Sequence, residues 1–175
     1  MPPTCPRRSS EAGKPVRVLG IDPGSACTGF GVLESESGRC RLVAAGVIRA
    51  PRGDLGRRLQ FVFERLQRAI AEHRPDAAAL EDVFSARNAR AALVLGHARG
   101  VALLAARLAG VPVFSYAPRM VKKTVAGDGA ADKPAVQRAL RLQLREAPGP
   151  LDASDAVALA LCHLAWSRAP GGRRS

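Results

Sequence analysis

The chain lacks the spacings that mark several common protein classes. Its four cysteines, Cys5, Cys27, Cys40 and Cys162, form no CxxC pair, and its histidines stand only at His73, His97 and His163. No zinc-ligand pattern results. Nothing in the cysteine usage asks for an oxidising compartment, so reduced thiols and a cytoplasmic location are expected. No run of 18 or more apolar residues occurs, so no membrane span is expected. The opening residues MPPTCPRRSSEAGKP have no apolar core of the kind a signal peptide needs, and they read as a disordered tail. Lysine is scarce too, with 4 lysines against 23 arginines.

What is present is a globular chain of 175 residues, 47% hydrophobic in short periodic runs. That length suits one domain with a real core, expected over residues 16–167 between a disordered tail (1–15) and a basic tail (168–175). The net charge is +12, and seven basic residues and one acid fall outside residues 18–167, leaving +6 within. A core that basic favours a polyanionic partner, nucleic acid first. A general preference for arginine codons is the competing explanation.

Short apolar runs bounded by turn residues predict strands over 16–22, 28–33, 42–48, 77–83 and 111–116. The stretch SESGRC separates the second from the third, which suggests a meander. From Asp54 the period becomes helical: Leu55, Leu59, Val62, Leu66 and Ile70 recur on one face, with Asp54 as cap and Arg74-Pro75 as stop. A long helix is expected over 88–110, apolar on most of its circumference, and therefore buried in the core or against a second subunit. Shorter helices follow over 118–125, 133–145 and 152–166. This order indicates one α/β domain with a mixed sheet.

Four acids stand where acids are awkward. Asp22 ends the first strand against Pro23-Gly24, although Asp-Pro-Gly is also an ordinary turn. Glu81 interrupts the apolar run AAALEDV, where a carboxylate must be paired, neutralised or bound to a cation unless it faces an edge. Asp152 and Asp155, three apart at a helix start, share one face; acids in a first turn also favour the helix dipole on their own account. If the sheet sets Asp22 beside Glu81 and the last helix packs against them, four carboxylates converge and require cations. All-oxygen ligation selects Mg²⁺, with Mn²⁺ able to substitute, over zinc. Two such ions about 4 Å apart would activate water against a phosphodiester without a nucleophilic side chain. Cationic support at the phosphate would come from Lys122, Lys123 and Lys133, three of the four lysines, unless they only form a solvated basic face. Gly127 and Gly129 between them would let backbone approach phosphate.

Together the segments GIDPGSACTGFGV (20–32), LEDVFSARNARAALVLGHARG (80–100), VKKTVAGDGAADK (121–133) and DASDAVALA (152–160) resemble the RuvC family of Holliday-junction resolvases. The resemblance implies a ribonuclease H-like fold, a five-stranded mixed β-sheet flanked by α-helices. It implies that Asp22, Glu81, Asp152 and Asp155 are the catalytic, metal-binding carboxylates and that Lys122 and Lys133 contact phosphate. Phe84 matches the family's base-stacking aromatic, and Arg87, Arg90 and Lys123 complete the expected DNA-binding set. A magnesium-dependent homodimer is implied, acting on a four-way DNA junction by symmetric nicks and cooperating with the RuvA–RuvB complex. Pro134 after Lys133 leaves the exact start of that helix open.

Two other readings remain. The first block also resembles the phosphate loop of actin-like ATPases and sugar kinases, but 175 residues leave no room for the second domain those proteins close over nucleotide. A non-catalytic junction-binding protein would use the basic surface and Phe84, and would have no need of four converging acids.

Overall fold

The computed structural model describes residues 15–82, 88–144 and 151–168. Its core is a five-stranded sheet built from β1 (Val16–Asp22), β2 (Cys27–Glu36), β3 (Arg39–Arg49), β4 (Ala77–Glu81) and β5 (Val113–Tyr116), in the order β3-β2-β1-β4-β5. β1, β2 and β3 form an antiparallel meander, while β4 and β5 run parallel to β1. The mixed five-stranded sheet expected from sequence is therefore present. β1 lies at its centre with both faces covered, which accounts for its nearly continuous apolar run.

Side chains divide between the faces with the period of two that a strand imposes. Leu19, Ile21, Val32, Ala78 and Leu80 pack under α1 (Leu55–His73) and α2 (Ala89–Leu108). Val18, Leu33, Ala79 and Tyr116 pack on the other side, under α3 (Pro118–Ala126), α4 (Lys133–Leu144) and α5 (Leu151–Arg168). Asp22 and Glu81 continue the second series, so both look toward α5. At the far end of the sheet Arg17 and Arg41 both bond the nearly buried carboxylate of Glu34, tying β1, β2 and β3 together away from these acids.

Several boundaries differ from the sequence expectation. β2 and β3 run through most of SESGRC, and the turn is only Ser37-Gly38, both at positive φ (47° and 86°). Two such residues make the primed hairpin turn that matches strand twist, so charged residues on either side still pair. β4 ends at Glu81 instead of reaching Val83, and β5 starts at Val113 instead of Val111. Helix ends are closer to expectation. Asp54 caps α1 by accepting from the Arg57 amide at 3.0 Å, and Arg74 closes it in the left-handed region. Asn88 caps α2 in the same way through the Ala91 amide. α4 begins at Lys133, with Asp132 accepting from the Ala135 amide at 2.8 Å. Pro134 falls in the first turn, where its missing N–H leaves nothing unmade. α5 extends to Arg168, one residue into the segment read as a basic tail.

α2 is not the enclosed helix that one sequence reading allowed. Ala98, Ala102, Ala105 and Ala106 are buried, whereas Leu93, Leu104 and Leu108 are 64%, 52% and 67% exposed. Among the described helices it alone is long and apolar enough to cross a membrane by length and composition. Its alanines instead pack beside α1 and the sheet.

Candidate active site

The site is built at the C-terminal ends of β1 and β4, where an open α/β sheet leaves a crevice for ligands. Parallel pairing runs from Val18↔Ala77 to Ile21↔Leu80, and one further step sets Asp22 beside Glu81. Both acids therefore leave neighbouring strands at the same height and toward the same face. Beyond Asp22 the chain turns at once, and the buried Thr28 closes that turn: its hydroxyl donates to the Gly24 carbonyl at 2.7 Å and accepts from the Gly24 amide at 3.2 Å. Asp-Pro-Gly is thus a turn as well as a site flank.

The third acid comes from α5, and a glycine decides how near it can lie. A Cβ on Gly20 would overlap the carbonyl oxygen of Ala156, and one on Gly31 would meet Val157. Glycine at these strand positions lets the first turns of α5 rest directly on β1 and β2. Asp155, adjacent to Ala156, is thereby held against the strand ends. Its charge reaches Glu81, whose carboxyl is pushed above the usual carboxylate range first by burial and then by Asp155, with Lys133 and Lys122 pulling the other way. Asp152 lies one turn earlier on α5, and its side chain falls outside the described residues.

Two lysines complete the arrangement. Lys133, first residue of α4, places its Nζ 2.6 Å from Oδ2 of Asp155. Gln137 one turn later bonds Ser154 at 3.3 Å, fixing α4 beside α5. Lys122 on α3 acts on Glu81 through its charge alone. Lys123 is exposed and does not figure among the charges acting on Glu81. Arg90, exposed in the first turn of α2, lines an open groove with Ser25, Asn88, Ala91, Val94 and Leu95. Phe84 and Arg87 lie outside the described residues. The glycines expected to meet phosphate have structural duties: Gly127 ends α3 at φ 81°, and a Cβ on Gly129 would run into Arg119.

Sequence reasoning passed over Gly20 and Arg99. A glycine inside an apolar strand is the signal of a close backbone approach. Arg99 is an arginine in the middle of an apolar helix, as anomalous as Glu81 in an apolar strand. Its guanidinium donates to the Glu81 carbonyl at 3.1 Å, to Asp82 at 3.0 Å and to the Ser115 hydroxyl at 2.7 Å.

Can these groups hold a metal? Among the described residues no three His, Cys, Asp or Glu side chains are grouped closely enough to hold a metal ion by themselves. The groups brought together are carboxylates, and burial followed by the charge of Asp155 makes the ionised form of Glu81 more costly than in solvent. That suits a hard cation which keeps several waters and takes few protein oxygens, and does not suit zinc.

A family model described as crossover junction endodeoxyribonuclease RuvC matches residues 18–163. The chain belongs to the RuvC family. RuvC of Myxococcus xanthus is 54% identical over 158 residues, covering 88% of this chain and 83% of its own length. RuvC of Halorhodospira halophila is 51% identical over 158 residues, covering 88% and 93%. Thermus thermophilus RuvC, solved in complex with Holliday junction substrate, superposes with a TM-score of 0.81 at 36% identity, over 87% of this chain and 95% of that one. The ribonuclease H-like fold and the endodeoxyribonuclease activity expected from the resemblance are those of this family.

Proposed function

We propose that this chain resolves four-way DNA junctions by magnesium-dependent nicking of two strands of like polarity, working as a cytoplasmic homodimer. The observation that carries the reading is the approach of Asp155, Lys133 and Lys122 to Glu81 at the end of β4, beside the strand whose end carries Asp22. Asp22, Glu81, Asp155 and, one turn before it on α5, Asp152 are the residues that would hold the cation. Magnesium bound there, or manganese in its place, supplies an activated water and charge stabilisation at the departing oxygen.

The remaining work belongs to the protein. Lys133 and Lys122 present ammonium groups where a phosphodiester would gather negative charge, and such charge counts for more in a half-buried site than in open solvent. Lys133 would exchange Asp155 for phosphate when DNA enters. Arg90, Lys123, Arg87 and Phe84 are assigned to holding the junction arms and centre, and the basic core supplies affinity independent of sequence. Cooperation with the RuvA–RuvB complex is part of the same proposal, supported by resemblance to the family.

The dimer is assigned to the outer face of α2. Leu93 and Leu104 line a shallow apolar groove with Leu59, Ala92, Gly96, His97, Gly100 and Val101. A Cβ on Gly96 or Gly100 would meet nothing, so a second helix can approach closely there. Two-fold symmetry would set this face against itself and hold two sites at a fixed separation.

The test uses purified protein, Mg²⁺, a synthetic four-way junction and a linear duplex of matched sequence. Paired nicks on the junction alone are expected, and Asp22→Asn or Glu81→Gln should abolish them while junction binding survives. Tight binding without cleavage by the native chain would favour a non-catalytic junction-binding protein. Equal cleavage of both substrates would remove the structure specificity.

A further inference from the structure

We infer that Arg99 is a positioning residue for the metal site, holding from behind the strand end that presents Glu81. The inference rests on the reading of Glu81 as a metal-holding carboxylate.

Ladder pairing of β4 with β1 runs only to Leu80, and on the β5 side it ends at Glu81↔Tyr116 and the Asp82 amide on the Tyr116 carbonyl, 2.9 Å. Glu81 therefore sits where the chain leaves the sheet. A strand end loses the neighbours that define its direction, and a half-buried carbonyl there needs a donor. Arg99 provides that donor from α2. Nε bonds the Glu81 carbonyl, and Nη2 spans Asp82, the residue just past β4, and Ser115 on β5. Strand alternation puts Asp82 and Ser115 on the α2 face and the Glu81 side chain on the α5 face. The guanidinium thus grips the backbone behind Glu81 without entering the carboxylate cluster.

This arrangement does more than a surface ion pair would. Arg99 and Asp82 are 23% and 34% exposed at their side chains, and the planar fork fixes two strands at once. Magnesium demands near-ideal ligand placement, so a strand end free to swing would weaken binding although the carboxylate remained. The same contact joins the active-site strand to α2, the helix whose opposite face is exposed. Outer partners of this kind change metal affinity through the ligand they orient.

The test measures Mn²⁺ binding to the full chain directly, from the electron paramagnetic resonance signal of the free ion, without DNA. Arg99→Met should weaken Mn²⁺ binding about tenfold or more and raise the Mg²⁺ needed for half-maximal junction cleavage by a similar factor. Junction binding in EDTA should stay within about twofold, since no phosphate contact is assigned to this residue. In a Glu81→Gln background Arg99→Met should change Mn²⁺ binding no further, because its effect passes through Glu81. A purely structural role would weaken binding equally in both backgrounds and would overturn the proposal, as would unchanged Mn²⁺ affinity in Arg99→Met. Should Arg99→Met fail to fold, Arg99→Lys and Asp82→Asn take its place with the same comparison, and unaltered Mn²⁺ binding in Arg99→Lys is equally fatal. If Glu81→Gln alone binds Mn²⁺ like the native chain, the metal site itself is misassigned and the role of Arg99 falls with it. If Glu81→Gln loses Mn²⁺ and Arg99→Met keeps it, only the positioning role is lost.

Discussion

The hydroxyl of Tyr116 stands 2.7 Å from Nδ1 of His163, joining the last residue of β5 to the middle of α5 inside the core. Phe114 packs against the same imidazole, with ring centroids 4.5 Å apart and the planes tilted by 41°. Tyr116 is also the register partner of Glu81, so this bond secures α5 to the sheet one strand away from the carboxylates. Burial pushes the tyrosine hydroxyl above its ordinary range and holds His163 down at about 4, against 6.5 when free. Both groups are neutral at pH 7.

A pH dependence of stability follows. Between pH 6.5 and about 4 the unfolded chain binds a proton at His163 that the folded chain refuses. Stability from this group is therefore complete above pH 6.5, falls as the pH drops, and levels off below pH 4. The full loss amounts to about 3 kcal/mol. Urea unfolding at pH 7 and pH 5 should show a smaller acid loss in His163→Asn than in the native chain. Equal losses would show that His163 titrates normally in the fold.

Gly20→Ala should damage the site from a distance. The added methyl group would strike the Ala156 carbonyl, and neither backbone can yield without moving α5 off β1. Overpacking of this kind costs about 1–3 kcal/mol, visible as a lower thermal midpoint. Junction cleavage should fall by more than the folded fraction falls, since Asp155 moves with the helix. Gly38→Ala is the control, because a Cβ there meets nothing and strain at its positive φ stays at a hairpin far from α5. Native cleavage in a folded Gly20→Ala variant would sever the link between helix approach and site geometry.

The contrast between those glycines shows what was legible in the sequence. Glu81 could be singled out because it interrupts an apolar run, Asp22 because it ends a strand against Pro23-Gly24, and Asp152 with Asp155 because they share one face of a helix start; the strands and helices that carry them follow from periodicity. Ser37 and Gly38 hid the true length of β2 and β3, because charged residues around a two-residue turn look like loop until pairing is known. Arg99 is a different case. Its partners lie 16 to 18 residues away on two strands, and no local pattern shows where a long side chain will reach. The Tyr116–His163 bond joins residues 47 apart and was invisible for the same reason.

Lys133→Ala and Lys122→Ala should reduce cleavage more than junction binding. Lys133 already holds Asp155 at 2.6 Å and both ammonium groups act on Glu81, so their charge is centred on the reacting position. Loss of one such group should lower the single-turnover rate by about tenfold or more. Binding, measured across a salt series, should change by no more than the one phosphate contact each supplies, about one unit in the logarithmic salt slope. Equal losses in rate and affinity would make them ordinary backbone contacts.

The outer face of α2 should make the chain a dimer. Leu93 and Leu104 expose 64% and 52% of their surface beside two glycines with open space above them. Each leucine that moves from such exposure to burial contributes about 1 kcal/mol or more, and a symmetric contact counts each residue twice. Light scattering at micromolar concentration should give about twice the monomer mass of 18.4 kDa. Leu104→Glu places one carboxylate per copy into that groove and should shift the protein to monomer with little change in thermal midpoint, because Leu104 is 52% exposed and outside the buried core. Two nicks in one junction within one encounter need two sites, so the same variant should release singly nicked junctions in place of resolved duplexes. A native chain that remains monomeric on DNA yet still makes paired nicks would overturn the assignment of α2. A native chain that dimerises only once DNA is added would place part of the association energy in the junction itself.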